Sequence, residues 1–300
     1  MAASLVVPAP AQTAVAAAPR LRSARQRLLR ELLHNRAALV GLAIVAAYVL
    51  IGLTVDWLPV RSPTQMTPAS RMAGPSLSMP FGADTFGRDL FSRVLFGAQL
   101  SLRVAVLSVG AATLVGSFLG LVAGYVGGWL DQALMRLMDV FFSFPAILLA
   151  LGIVAALGPN PSNVVLAIAV VYTPIFARVV RGPVLALKER EFVEAARALG
   201  ASGRRIVGRH ILPNLLSVLI VQVSIALSWA ILTEAALSFL GLSAQPPAPS
   251  WGVMLNEGRQ NLELAPHLAF FPGLAIMLAV LGFNLVGDGL RDVLDPRLQR

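Results

Sequence analysis

Residues 104–126 read VAVLSVGAATLVGSFLGLVAGYV, an unbroken apolar stretch without a charged side chain. A hydrocarbon core about 30 Å thick needs roughly 20 such residues in a helix. In lipid the backbone must satisfy its own hydrogen bonds, so a run of this kind reads as a spanning helix. Within it Gly116, Gly120 and Gly124 recur every four residues, leaving one helical stripe bare of side chains. A second helix can approach closely along such a stripe. Stripes of this sort occur in membrane proteins of every function, so these glycines point to helix packing and nothing narrower.

Outward from that stretch the pattern repeats. Further uncharged runs lie at about 37–55, 140–158, 213–233 and 268–287, with a shorter one at 164–177 that Arg178 terminates. The whole chain of 300 residues is 57% hydrophobic and 13% charged, with a mean hydropathy of +0.75. A soluble domain rarely has this composition. The reading is an all-α integral membrane protein of about six transmembrane helices.

Six spans place the termini and the connections near 127–138 and 181–212 on one side. The connections at 59–100, 159–163 and 243–267 fall on the other. Seventeen of the 24 Lys and Arg residues lie on the terminal side and five on the opposite side. The positive-inside rule then puts both termini in the cytoplasm of a multi-pass protein of the cell (inner) membrane. The net charge of +9 is thereby mostly a topology signal, not a nucleic-acid footprint. Residues 1–20, rich in Ala, Pro and Val, read as a disordered tail, because Pro8 and Pro10 interrupt the apolar stretch that a signal peptide needs. Residues 21–36 interleave Leu with Arg22, Arg25, Arg27 and Arg30, which suits a basic amphipathic helix on anionic membrane lipid.

Several chemistries are disfavoured. The chain has no cysteine, and His34, His210 and His267 are scattered, so spacing supports no metal site. The sole lysine, Lys188, follows Leu187 instead of the glycine of a phosphate-binding loop. No catalytic residue and no cofactor are therefore expected in this chain. The spans carry almost no ionisable group. Glu234, near the outer end of the fifth run, has either a structural or gating role or carries a coupling proton, the first being favoured. Arg178 reads as snorkelling to the inner interface. Asp84, Arg88, Asp89 and Arg93 crowd one outside segment, and either fold it through ion pairs or meet a substrate or partner there.

The segment 181–212 is long and organised for a connection. Residues 191–200 (EFVEAARALG) favour a helix stopped by Gly200, in which Glu194 can pair with Arg190 or Arg197 at helical spacing. Residues 202–209 suit a second short helix, and Pro213 suits the first turn of the fifth span. The segment presents a surface to a cytoplasmic partner, or else forms a basic hairpin against lipid headgroups.

This is where a resemblance appears. Glu194, Ala195 and Ala196, then Gly200, then Leu212 and Pro213 match the spacing of the EAA loop of ABC importer permeases, with His210 standing where the general pattern has an aliphatic residue. Residues 81–93 (FGADTFGRDLFSR), 235–242 (AALSFLGL) with 249–252 (PSWG), and 283–297 (FNLVGDGLRDVLDPR) resemble the second permease subunit of the dipeptide, oligopeptide and nickel branch. The resemblance implies an ABC type-1 importer permease. Its EAA loop would be a coupling helix docked on a cytoplasmic ATPase, Gly200 would form the bend, and Glu194 would brace it. It also implies a sister permease as heterodimer partner, two ATP-binding subunits that hold ATP and Mg, and an extracytoplasmic substrate-binding protein. The domains expected are a first transmembrane helix at 37–58, an extracytoplasmic loop at 59–100, a transmembrane domain of five helices at 101–288, and a cytoplasmic tail at 289–300. Peptides are the expected solute, with nickel or glutathione as alternatives inside the family. An ion-coupled secondary transporter and a membrane-embedded enzyme are the alternatives outside it.

Overall fold

The computed structural model describes residues 35–294; the expected tail at 1–20 and nearly all of the amphipathic helix at 21–36 lie outside them. Helices follow in the order α1 (Arg36–Thr54), α2 (Leu90–Val126), α3 (Gly128–Phe142), α4 (Ala146–Leu157), α5 (Pro161–Lys188), α6 (Glu191–Ala198), α7 (Gly203–Ile206), α8 (Leu212–Phe239), α9 (Trp251–Arg259) and α10 (His267–Leu294). Among the described residues there is no strand beyond an isolated bridge between Ala83 and Asp89. Five helical segments are long and apolar enough to cross a membrane, or six if the bent pair α3 and α4 forms one span.

Local chemistry sets where the helices start. The Asn35 side chain accepts from the Ala38 amide at 3.1 Å, Asp89 from Ser92 at 3.0 Å and Asn160 from Ser162 at 2.9 Å. Each satisfies an amide that the first turn leaves without a partner. Because Asp89 caps so early, α2 begins at Leu90, and the last eleven residues of the expected 59–100 loop are helical. At the other end of the chain α10 runs on to Leu294, into the expected tail.

The run at 140–158, expected as one span, is broken. Helix α3 stops at Phe142, α4 starts at Ala146, and the two are bent by 86°. Pro145 has no amide hydrogen and disfavours the helical conformation at Phe144, so hydropathy alone overestimates continuity here. At about 1.5 Å per residue α4 is some 18 Å long, short of a full crossing.

Helix α2 lies against α5 along the glycine stripe. A Cβ on Gly116 would sit 2.6 Å from Phe176 Cβ, and one on Gly120 only 2.2 Å from the Ala177 carbonyl oxygen. On Gly124 it would meet Val184 Cβ at 2.9 Å. Helix α10 packs on α1, with Gly282 beneath Ile44, and Tyr48 Oη donates to the Ala275 carbonyl at 2.9 Å. The connections that the charge pattern groups together meet in space: Arg88 approaches Glu257 at one end of the bundle, and Arg181 pairs with Asp131 at the other.

Candidate functional site

The EAA segment forms a short helix with a defined stop. In α6 the Ala201 amide donates to the Ala196 carbonyl and the Gly200 amide to the Arg197 carbonyl, both at 3.0 Å. That pair of bonds closes a helix through a residue in the left-handed region, and Gly200 has φ +79°. An added Cβ there meets nothing within 4 Å, so the demand for glycine comes from the backbone and not from crowding. Val193 turns inward and is fully buried, whereas Phe192, Ala195 and Leu199 share the outward face at three-, four- and seven-residue spacings. Leu199 is 89% exposed and Phe192 43%, an apolar ridge that no described residue covers. Glu194 is exposed and makes no ion pair among the described residues, so the expected pairing with Arg190 or Arg197 does not form.

Beyond Gly200 the expected second short helix does not end before the fifth span. Residues Val207–Ile211 form a π turn that carries α7 into α8, with the Leu212 amide donating five residues back to Val207. Pro213 has no amide to donate, and the widened turn accommodates its ring without breaking the helix. The Asn214 side chain donates to the His210 carbonyl at 2.6 Å, and the His210 ring lies 6.3 Å from that of Phe192. The departure from the general EAA pattern thus sits against the exposed ridge.

At the opposite end Asp84, Arg88 and Arg93 are buried together. Arg88 Nε is 2.5 Å from Asp84 Oδ2, and Arg93 Nε is 3.3 Å from the same oxygen. Both guanidinium groups also face Glu257 on α9, at 3.4 and 3.8 Å. Arg93 donates to the Pro63 and Pro247 carbonyls, so two connecting segments are tied to the start of α2. Asp89 stands apart from the pairs as the cap of α2. Nothing in the local sequence around Glu257 marks it as the acidic partner of two arginines more than 160 residues away.

Glu234 is fully buried in α8. Ser101 Oγ on α2 donates to it at 2.8 Å, and Ser243 Oγ in the following connection at 3.3 Å. The arrangement is a crosslink between two helices and a loop. Arg178 pairs with Asp139 and lies over the Phe142 ring at 4.0 Å. It therefore has a protein partner on α3, at a position where both side chains stay exposed.

Comparison with known proteins agrees with this geometry. Residues 116–300 match the family model of the binding-protein-dependent transport system inner membrane component, and residues 23–75 match the N-terminal TM domain of oligopeptide transport permease C. The dipeptide transport system permease protein DppC of Alkalihalophilus pseudofirmus is 46% identical over 90% of this chain and 89% of its own. The glutathione transport system permease protein GsiD of Pectobacterium atrosepticum is 48% identical over 75% of each chain. Among solved structures, the MetNI methionine ABC transporter in an inward-facing conformation superposes with a TM-score of 0.54 at 20% identity, over 67% of this chain and 96% of that one.

Proposed function

The chain belongs to the family of binding-protein-dependent transport system inner membrane components, and on that premise we propose that it forms half of the pathway by which an ATP-driven importer brings di- or oligopeptides across the cytoplasmic membrane. The observation that carries the coupling role is α6: a glycine-stopped helix that holds Phe192 and Leu199 outward with no partner among the described residues. An apolar ridge of this kind on a connection between spans suits a groove on a cytoplasmic ATPase. Two such ATPases bind ATP and Mg, and their closure moves α6 together with the helices that it joins. Access then alternates by rigid-body movement of packed helices. A sister permease supplies the other half of the pathway, and a binding protein delivers solute to the segments around Arg88 and Glu257. Both termini are cytoplasmic in this reading, following the charge asymmetry.

Glutathione has specific support as a second solute, since the GsiD relatives match about as well as the dipeptide permease does. Competition of labelled dipeptide uptake by glutathione separates the two.

The test is to tag the chain in its native cells, extract it in mild detergent and identify what copurifies. A second permease and ATP-binding subunits are expected, and the ATPase should be lost from a Phe192→Asp, Leu199→Asp variant. Recovery of the chain alone, under conditions that preserve a known ABC complex, overturns the proposal in favour of a stand-alone carrier.

A further inference from the structure

Between α4, α5 and α8 lies a groove of about 250 Å³, lined by Ala146, Tyr172, Ile175, Gln222, Ile225 and Trp229 among others. Its α8 wall is one stripe: Gln222, Ile225, Ala226 and Trp229 follow at the spacings of a single helical face. At about 1.5 Å per residue Gln222 is some 15 Å from Leu212 and 25 Å from Phe239, well inside the bilayer span of this helix. The Gln222 side chain makes no hydrogen bond to any described residue, and Trp229 is 58% exposed. Neighbouring hydroxyls on the same helix behave otherwise. Ser224 donates to Ile220, Ser228 to Ser224 and Thr233 to Trp229, each one turn back. With its proton committed there, Thr233 accepts from Tyr172 Oη at 3.0 Å, which fixes the tyrosine at the groove wall.

A primary amide left unpaired against hydrocarbon costs several kcal/mol. Its place in a groove instead of on a smooth lipid-facing surface points to water. We propose that this groove is the chain's share of the transport path, and that Gln222 is the residue through which it holds the passing peptide main chain. A carboxamide offers two donors and an acceptor, the complement of a peptide unit whatever its side chains. Trp229, which is exposed, adds broad apolar surface that accommodates varied side chains, and the buried Tyr172 closes the wall behind it. The inference rests on the importer reading above.

The chain contains no cysteine, so a single substitution gives a clean chemical probe. Gln222→Cys and, as a control, Ile220→Cys, which is exposed about 200° around the same helix, are made in the assembled importer. Each is treated with a hydrophilic thiol reagent, and adducts on this chain are followed by mass. Because the reagent attacks thiolate, which needs water to form, Gln222→Cys should react about tenfold faster than the control. Dipeptide should slow that reaction. Gln222→Leu should raise the KM for dipeptide with little change in kcat, and Gln222→Asn should recover part of the loss.

An assembled complex in which Gln222→Cys reacts no faster than Ile220→Cys overturns the proposal, because the groove is then sealed by lipid or the sister subunit. The importer reading survives that outcome. If no ATPase copurifies with the chain, the importer reading fails and the proposal fails with it.

Discussion

Ser101 and Glu234 are joined by a 2.8 Å hydrogen bond that links α2 to α8 in fully buried surroundings. With Ser243 donating to the other carboxyl oxygen, the acid is satisfied by two hydroxyls. That explains how an acidic side chain is tolerated within a spanning helix without an arginine or lysine beside it.

Removing the acceptor strands both hydroxyls. Glu234→Ala should lower stability by about 2 to 4 kcal/mol, and Ser101→Ala by about 1 kcal/mol. Thermal midpoints of the detergent-solubilised importer at a fixed scan rate measure this. A Glu234→Ala, Ser101→Ala double variant should lose less than the sum of the single losses. Strict additivity would mean that the bond contributes nothing measurable.

The stripe between α2 and α5 makes a sharper demand. A Cβ at Gly120 would lie 2.2 Å from backbone oxygen, which cannot move without moving α5. Gly120→Leu should cost more than the ~1 to 3 kcal/mol typical of overpacking. Gly110→Leu on the same helix should be tolerated, since nothing lies within 4 Å of a Cβ there. Yield of folded protein by size exclusion distinguishes the two.

Charge burial around Asp84 supports a third expectation. Arg88→Ala leaves Asp84 with Arg93 as its remaining basic neighbour, in a site from which water is excluded. Breaking a buried pair from one side typically costs about 3 to 5 kcal/mol. A loss of stability in the absence of any added binding protein indicates a loop-folding role. Unchanged stability with weakened binding-protein affinity indicates a docking role instead.

Gly200 separates conformation from contact. At φ +79° a side chain carries a backbone cost of about 1 to 2 kcal/mol, while no described residue obstructs it. Gly200→Leu should therefore insert and fold, yet lower transport by shifting the angle of α6 against its partner. Glu194→Ala should leave stability unchanged, because Glu194 makes no side-chain bond within the described chain, and should lower uptake. Normal uptake by Gly200→Leu in membrane vesicles would sink the coupling assignment.

Much of the architecture could be read directly. The spans follow from apolar runs measured against bilayer thickness, and the stripe of Gly116, Gly120 and Gly124 declares a close helix contact before its partner is known. The stop at Gly200 is legible for the same reason, since a local backbone conformation needs only local residues. Pro145 and Pro213 show where this reading weakens. Both are prolines in or beside apolar runs, yet one breaks its helix by 86° and the other is absorbed by a π turn. Which occurs depends on whether the surrounding helices hold the chain straight, and periodicity carries no information about that.

Sequence by itself determined the membrane setting, the number of apolar runs, the asymmetry of charge and the helix stop at Gly200, because each is a property of residues close together along the chain. Tertiary structure alone decided that Glu257 answers Arg88 and Arg93, that Ser101 answers Glu234, and that Gln222 shares a groove with Tyr172 and Trp229. The physical reason is one of distance. Helical periodicity places side chains on a face, but packing chooses which faces meet, and buried polar groups find their partners only after that choice is made.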